Sequence, residues 1–312
     1  QALPKGSAGY KVGDFAANHL SAVKSALRPV LSAAGVAHAV IGDKATDAVG
    51  RGLSKLGMPM WSSAFPLAYY PHAIKTQPSE LKVVYFPSCI NQTMGKSKGQ
   101  STPLIDKMVA LMEKAGYEVI FPKNMKNLCC GTIWESKGMP DIADRKAKEL
   151  DDALFEASDG GRYPVLCDQS PCLHRMRNTI KRVKLYEPVE FIYEYLAPHL
   201  RFVQTDEPVA LHFTCSTRHM NLNDMFVALA GMCTTKVVVP EEVGCCGFAG
   251  DKGFTDPEVN RYALRKLRKQ LEAAGVKRGF SNSRTCEIGL TVNGGVPYQS
   301  IAYLVDECTI KK

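Results

Sequence analysis

NLCCGTIWESKGM, residues 127–139, places two cysteines side by side with a glycine directly after them. The same order of residues returns in VGCCGFAGDKGF, residues 243–254. Neighbouring side chains of a regular strand point to opposite faces of a sheet, so a doubled thiol predicts a tight turn that aims both sulfur atoms at one site. The glycine allows the backbone to turn there and to come close to a bulky group.

The doubled cysteines belong to a longer internal repeat. VVYFPSC at 83–89 matches VALHFTC at 209–215, and CDQSPC at 167–172 matches SNSRTC at 281–286. Each copy alternates β-rich runs with helical segments, which predicts an α/β fold with a small parallel sheet flanked by helices. Because such sheets hold their ligands at the carboxyl ends of the strands, the cysteines at those ends predict a binding site in each copy.

The amino-terminal region has a different sequence pattern. Residues 16–36 carry apolar side chains at helical spacing, interrupted by Pro29, and 44–57 predict a second short helix. Residues 58–81 are rich in proline and aromatic side chains and predict an extended connector. We therefore predict three parts: a helical segment with its connector over 1–81, a first α/β domain over 82–203 and a second, pseudo-symmetric one over 204–312.

Two further segments predict helices within these domains. Residues 183–200 predict a helical bridge between the copies, and residues 256–276 predict one long helix. The second of these is strongly basic, and a solvated face is the usual role of such a charge run.

Composition sets broad limits on the function. The chain has 312 residues, 45% of them hydrophobic, a net charge of +8 and a sequence pI near 8.9. No nucleic-acid-binding motif accompanies this diffuse charge. The apolar stretch 31–42 is shorter than the roughly 20 residues of a membrane span. We expect a cytoplasmic protein that can touch the inner membrane peripherally, and the start at Gln1 suggests a piece of a longer polypeptide.

Eleven cysteines are the unusual feature of the composition. An odd number in a chain of this length argues against a disulfide framework and favours metal or redox chemistry. Two cysteines, Cys233 and Cys308, lie outside the repeat, and we predict that they act as small buried hydrophobic side chains. The first copy contributes five candidate cofactor ligands: Cys89, Cys129, Cys130, Cys167 and Cys172. The second copy contributes four candidate metal ligands: Cys215, Cys245, Cys246 and Cys286.

Thiolates carried on several loops bind zinc or iron–sulfur clusters. Four thiols match one zinc ion by number, whereas five exceed it. A cluster of several irons can accept adjacent cysteines on different irons, because its metal atoms are spread in space. This interpretation explains why the cysteines are doubled.

The spacing Cys-x39-Cys-Cys-x36-Cys resembles the cysteine-rich CCG domain, whose best-known members are the heterodisulfide reductase B subunits. The resemblance implies two CCG-type domains and a noncubane [4Fe–4S] cluster held by the five cysteines of the first copy. YFPSCINQTMG, NLCCGTIWESKG, CCGFAGDKGF and SNSRTCEIGL are similar to the carboxyl-terminal part of bacterial flavin- and iron–sulfur-containing D-lactate dehydrogenases. Glycolate oxidase iron–sulfur subunits are more distant relatives. The similarity covers roughly residues 58–312.

The resemblance implies an oxidoreductase that passes electrons from FAD, through iron–sulfur clusters, to a quinone or another carrier. The FAD-binding and ferredoxin-like domains would lie elsewhere on the same polypeptide or on a separate chain, and the substrate would be a 2-hydroxyacid of the D-lactate type. Two alternatives stay open: a noncubane cluster that itself reduces a disulfide, and a zinc-stabilised docking module without enzymatic activity.

Two departures from the family pattern concern individual ligands. The five-cysteine motif ends in Cys-x-x-Cys, whereas four residues separate Cys167 from Cys172. The internal alignment places Ser281 opposite Cys167, and Gly289 stands where a fifth thiol of the second copy would fall. The second copy is therefore expected to hold a different [4Fe–4S] cluster, zinc or nothing.

Several polar residues lie close to the cysteines in the sequence. His212 and His219 flank Cys215, and either could bind a metal, although a hydrogen-bonded core histidine is the commoner role. Three charged side chains could tune a bound group or simply cap turns: Asp168, Asp251 and Lys252. GFAGDKG at 247–253 departs from the G-x-G-x-x-G spacing of dinucleotide-binding loops, so close backbone approach to the site is the better interpretation.

Overall fold

The computed structural model describes residues 2–42, 45, 48–50, 52, 62, 64–97, 100 and 102–312. The helices are α1 Ala8–Asn18, α2 Leu20–Ile41, α3 Leu104–Lys114, α4 Thr132–Ser136, α5 Pro140–Ala157, α6 Ser170–Thr179, α7 Pro188–Phe191, α8 Cys215–His219, α9 Asn223–Cys233, α10 Pro257–Ala263, α11 Leu267–Ala273, α12 Arg284–Gly294 and α13 Ile301–Glu307. The strands are β1 Lys82–Phe86, β2 Glu118–Ile120, β3 Val165–Cys167, β4 Leu185–Tyr186, β5 Leu200–Phe202, β6 Val209–Leu211, β7 Val237–Val238, β8 Arg278–Phe280, β9 Tyr298–Gln299 and β10 Thr309–Lys311.

Two parallel four-stranded sheets form the centre of the molecule. The first has the order β2-β1-β3-β4 and the second the order β7-β6-β8-β9. Each strand of the first sheet has a counterpart at the same place in the second sheet, so the structure confirms the predicted α/β class and the internal repeat. Val83, Val84 and Phe86 of β1 are fully buried. A strand covered by helices on both faces needs such a continuous apolar run.

The two sheets share a core and are joined by polar contacts. Helix α13 of the second copy packs on α3 of the first, and Lys107 Nζ lies 2.5 Å from the Asp306 carboxylate between them. Strand β5 pairs antiparallel with β10, which ties residues 200–202 to 309–311. The predicted domain boundaries therefore remain predictions, although the strands of the sheets lie within 82–186 and 209–299.

Helix α2 runs through Pro29 without interruption, in contrast to the sequence-based expectation. A proline inside a helix removes one backbone hydrogen bond. Contacts on both sides of it fix α2 against the first copy: Lys24 Nζ and Arg28 Nη2 donate to Gln92, and Leu31 is buried beyond the proline. The helix predicted over 44–57 lies largely outside the described residues.

Two other helix predictions were wrong in detail. The bridge at 183–200 contains strand β4 and α7, followed by a π-helical turn at Ile192–Leu196, because Leu185 and Tyr186 complete the first sheet. The segment 256–276 forms two helices, α10 and α11, with a turn at 264–266. That bend keeps Leu264, Leu267 and Leu271 buried in the core of the second copy.

Glu187 lies at the junction of the two copies and is fully buried. Its carboxylate accepts hydrogen bonds from Ser170 Oγ (2.7 Å), the Val189 amide (2.6 Å) and Asn282 Nδ2 (2.8 Å). Burial nevertheless raises the pKa of Glu187 from 4.5 to about 7. The junction therefore takes up a proton that the unfolded chain would release.

This shift predicts a stability that falls as the pH rises. A carboxyl whose pKa is higher in the folded protein binds its proton more tightly there than in the unfolded chain. Its contribution to the unfolding free energy is therefore lost as the pH rises from about 4.5 to 7. We expect Glu187 alone to lower the unfolding free energy by up to about 3 kcal/mol over this range. Urea unfolding at several pH values should show a flatter profile for Glu187→Gln than for the exposed control Glu194→Gln. Equal profiles would contradict the assignment.

Candidate metal centre

The first set of thiols collects at the carboxyl edge of the first sheet. Cys89 follows β1, Cys129 and Cys130 follow β2 and a short 3-10 turn, and Cys167 ends β3. Cys172 lies in the first turn of α6, directly after β3. Four of the five are buried and Cys89 is partly exposed. The parallel topology thus brings together residues that are far apart in the chain.

Contacts between the sulfur atoms join this set. Cys129 Sγ donates to Cys89 Sγ at 3.8 Å, and the thiols of Cys129 and Cys172 also donate toward Cys130. Cys130 Sγ lies 3.1 Å from Thr132 Oγ1. Cys167 makes no thiol–thiol hydrogen bond among those described: its Sγ lies 3.9 Å from the Gln169 carbonyl oxygen, within electrostatic reach of Cys130. All five thiols therefore converge, with Cys167 at the margin.

Hydrogen bonds divide the thiols into two protonation classes. The bond from Cys129 lowers the pKa of Cys89, and the bonds from Cys129 and Cys172 lower the pKa of Cys130 well below its usual range. Donation of those bonds raises the pKa of Cys129 and Cys172, and burial raises that of Cys167. The lowered pKa of Cys89 and Cys130 favours their thiolate forms, and a bound metal would displace the protons of the other thiols.

The adjacent cysteines meet different partners, since Cys129 faces Cys89 and Cys130 faces Cys172. The turn that permits this depends on Gly131, which has φ 87° and whose amide donates to Cys129 Sγ at 3.5 Å. A Cβ on Gly131 would lie 2.4 Å from the Ala143 carbonyl oxygen. The structure shows a close approach of this glycine to helix α5, and its approach to a bound group stays a prediction.

Basic side chains surround the first set, and sequence analysis missed them. Lys24 on α2 is 3% exposed and interacts electrostatically with Cys89 and Cys129, while its Nζ donates to Gln92 Oε1 at 2.7 Å. Burial lowers the pKa of Lys24 to about 8. The missed signal is its position four residues after buried Leu20, within the stripe that α2 turns to the core.

Arg175 and Lys146 stabilise the cysteine turn itself. Arg175 Nε donates to the Cys130 carbonyl at 2.9 Å, and its guanidinium also pairs with Asp144 at 2.9 Å. Lys146 Nζ donates to the Asn127 carbonyl at 2.9 Å, although this lysine is buried. The loop is thus held from outside the site.

Removal of the Lys24 charge should change the redox behaviour of the first set. In Lys24→Met, a group bound to Cys89 and Cys129 should become harder to reduce, because the added electron is no longer offset by a nearby cation. A unit charge at such a site contributes on the order of 1 kcal/mol, or tens of millivolts. Potentiometric titration followed by electron paramagnetic resonance measures this shift. The exposed control Lys11→Met should leave the potential unchanged, and equal potentials in both variants would refute the role of Lys24.

The second set forms at the equivalent edge of the second sheet. Cys215 begins α8, the doubled cysteines follow β7, and Cys286 lies in the first turn of α12. Cys215 Sγ lies 3.6 Å from Cys245 Sγ, and Cys246 Sγ lies 3.0 Å from Cys286 Sγ. The bond from Cys215, followed by that from Cys246, lowers the pKa of Cys245 to about 2. Cys215 and Cys245 are exposed, in contrast to the buried first set.

The second set has no room for a fifth thiol at Gly289. A Cβ there would lie 2.5 Å from Asn260 Nδ2 and 2.9 Å from the Phe248 ring. Ser281, the counterpart of Cys167, is buried and lies 3.3 Å from His212 Nδ1. The asymmetry in thiol number therefore has a steric basis in the packing of α10 against α12.

The donor sets fit a group that contains several metal atoms. Soft thiolates carried by converging loops suit iron–sulfur clusters. Within the described part of the chain, no three His, Cys, Asp or Glu side chains lie close enough to hold a single metal ion. The thiols meet in pairs instead, and all eleven cysteines are free. Their roles as ligands remain predictions.

The remaining candidates are structural. Cys233 and Cys308 are buried in the shared core, and Cys308 Sγ donates to the Cys233 carbonyl at 3.5 Å. Asp168 is buried and accepts from Tyr85 Oη at 2.8 Å and the Ser88 amide at 2.9 Å, which fixes the ends of β1 and β3. Asp251 pairs with Lys137 at 2.6 Å and so joins the two copies.

A model of the cysteine-rich domain family CCG matches residues 83–177 and, again, residues 209–291. The chain belongs to the CCG family. Both matches contain one doubled cysteine and end near the last cysteine of their set, which confirms the resemblance read from the spacing. Helices α1 and α2 lie outside the matched residues, so Lys24, which lies near the first thiol set, belongs to a part of the chain that precedes the family domain.

Other comparisons give more distant similarities. This CCG protein is 22% identical over 248 residues to lactate utilization protein A 1 of Bacillus mycoides (strain KBAB4), covering 73% of this chain and 97% of that protein. Among solved structures, an aspartate racemase homologue from Pyrococcus horikoshii OT3 aligns with a TM-score of 0.29 and 14% identity, over 73% of this chain and 96% of its own. Picrophilus torridus aspartate racemase aligns with a TM-score of 0.34 and 7% identity, over 74% and 95%. Such weak structural similarity carries no argument about function.

Hydropathy adds one further observation. Among the described residues, no helix is both long and apolar enough to cross a membrane.

Proposed function

We propose that this CCG protein is the iron–sulfur electron-transfer part of a system that oxidises a 2-hydroxyacid, with lactate as the favoured substrate. The observation that carries the proposal is the convergence of five thiols at one sheet edge, with the pKa of two of them, Cys89 and Cys130, lowered. The relative named for lactate utilisation supports the choice of substrate, since nearly all of its length aligns with this chain.

Each set of cysteines would bind its own metal group. Cys89, Cys129, Cys130 and Cys172 would bind a noncubane [4Fe–4S] cluster, with Cys167 as the fifth ligand. A second cluster or zinc would bind to Cys215, Cys245, Cys246 and Cys286. An iron–sulfur cluster supplies one-electron transfer when bound. The protein holds the thiols in place, keeps four of the five in the first set buried and puts the Lys24 cation within electrostatic range of Cys89 and Cys129.

The resemblance to flavin- and iron–sulfur-containing dehydrogenases is the basis for the partners that we propose. We propose that an FAD-binding domain accepts hydride from the substrate, that a ferredoxin-like domain lies between it and this protein, and that a quinone or another carrier takes the electrons. These domains would belong to the same polypeptide or to separate chains. The exposed Cys215 and Cys245 make the second set the accessible one for a partner protein. A cytoplasmic location with peripheral membrane contact suits a quinone acceptor.

Growth of a deletion strain tests the proposal. We expect loss of the gene to abolish or strongly slow growth on D-lactate, L-lactate or glycolate as sole carbon source, while growth on glucose is unchanged. The intact gene should restore growth, whereas a gene with Cys130→Ser should not. Normal growth of the deletion strain on all three acids would overturn the assignment to 2-hydroxyacid oxidation.

A further inference from the structure

His212 is a buried histidine with an unused ring nitrogen. It follows β6 directly, is 3% exposed, and its Nε2 has no hydrogen-bond partner. Its Nδ1 lies 3.3 Å from Ser281 Oγ, and its amide donates to the Phe280 carbonyl at 2.9 Å. A buried polar atom without a partner is costly, so an orphaned Nε2 indicates that something else occupies this position.

The ring lies beside the second thiol set. His212 interacts electrostatically with the Cys245 thiolate, and Arg218 is the other charged group that acts on it. If Nδ1 carries the proton and donates it to Ser281 Oγ, the lone pair is left on Nε2. A metal-binding histidine normally has this arrangement, with its second nitrogen held by a hydrogen bond.

The internal repeat shows what His212 replaces. In the first copy, Phe86 and Cys167 are register partners on β1 and β3, and both are fully buried. The equivalent pair in the second copy is His212 and Ser281. Where the first copy has an apolar ring and a thiol, the second has a nitrogen donor and a hydroxyl that orients it. One potential ligand is lost from the third strand as another appears on the first strand.

We propose that His212 Nε2 is the fifth ligand of the second set, together with Cys215, Cys245, Cys246 and Cys286. The inference rests on the proposed function in one respect, namely that the second set binds metal. It assigns the two sites different donors, five sulfurs in the first and four sulfurs with one imidazole in the second.

Selective labelling tests this ligand. The full chain is purified anaerobically from cells grown with ¹⁵N-imidazole histidine, and electron spin-echo modulation is recorded on the reduced protein. A single zinc ion takes four ligands, so zinc in the second set would overturn the assignment of a fifth ligand. We expect a ¹⁵N coupling in the wild type and in the control His219→Phe, which alters an exposed histidine near Cys215. The coupling should vanish in His212→Phe, which introduces the residue of the first copy.

A double variant guards against a simple folding defect. His212→Phe should lower the metal content per chain by the amount that the second set binds. The double variant His212→Phe with Ser281→Cys should restore the metal without restoring the ¹⁵N coupling, because the fifth donor is then a thiol. A coupling that survives in His212→Phe, or is absent from a metal-loaded wild type, would overturn the histidine assignment alone. A wild type without metal in the second set would instead overturn the premise taken from the proposed function.

Discussion

Replacement of Cys130 by serine should remove the metal of the first set almost completely. Cys130 lies between two other thiols of that set, because those of Cys129 and Cys172 both donate toward it, and these bonds lower its pKa well below the usual range. A serine hydroxyl remains protonated at neutral pH and is a poor ligand for soft metals. Since metal–thiolate bonds contribute folding free energy, we expect a loss of several kcal/mol of stability as well.

Cys308→Ser is the matched control for this prediction. Cys308 is as buried as Cys130, but it lies in the shared core and its sulfur contacts only the Cys233 carbonyl among the hydrogen bonds described. The substitution should cost about 1–2 kcal/mol and leave the iron content unchanged. Iron analysis and thermal unfolding of both variants separate the two roles. Equal loss of iron from both would show that the partition of the cysteines is wrong.

Gly131→Ala should be nearly as damaging, although it removes no ligand. The residue has φ 87°, which costs an alanine about 1 kcal/mol, and the new Cβ would stand 2.4 Å from the Ala143 carbonyl oxygen of helix α5. Backbone on both sides must then move, and the doubled cysteines move with it. We expect a total loss of at least about 3 kcal/mol and a lower iron content.

Gly116→Ala separates the two contributions. Gly116 also has φ 87°, but nothing lies within 4 Å of the position that its Cβ would take. This variant should lose only about 1 kcal/mol and keep its iron. Denaturant unfolding of both variants gives the difference. If Gly131→Ala were as mild as Gly116→Ala, the close packing of the cysteine turn on α5 would not limit the site.

The sheets and the position of the thiols were predictable because their causes are local. The run KVVYF is continuous and apolar, as a strand buried on both faces requires, and its repetition as PVAL predicts a second sheet of the same kind. A cysteine just after such a strand must lie at the carboxyl edge. Periodicity and spacing carry that information in full.

Other features depend on contacts between distant residues. The short strand β4 was missed because Leu185 and Tyr186 gain their pairing only beside β3. Lys24 enters the first site because α2 packs near Gln92, and its position four residues after Leu20 indicates the buried face of the helix but not this partner. The packing of Gly131 could not be predicted for the same reason, since its neighbour Ala143 lies on another helix. His212 was weighed as a metal ligand and as a core histidine, and its unpartnered Nε2 is visible only in the structure.

Anaerobic purification with quantification of iron, acid-labile sulfide and zinc tests the central claim, that the first thiol set holds an iron–sulfur cluster, most directly. We predict a coloured protein with iron and sulfide in near-equal amounts, roughly four of each per chain or more, and an electron paramagnetic resonance signal that is lost in Cys130→Ser. A colourless protein that contains zinc alone, with no sulfide under strict exclusion of oxygen, would contradict the account.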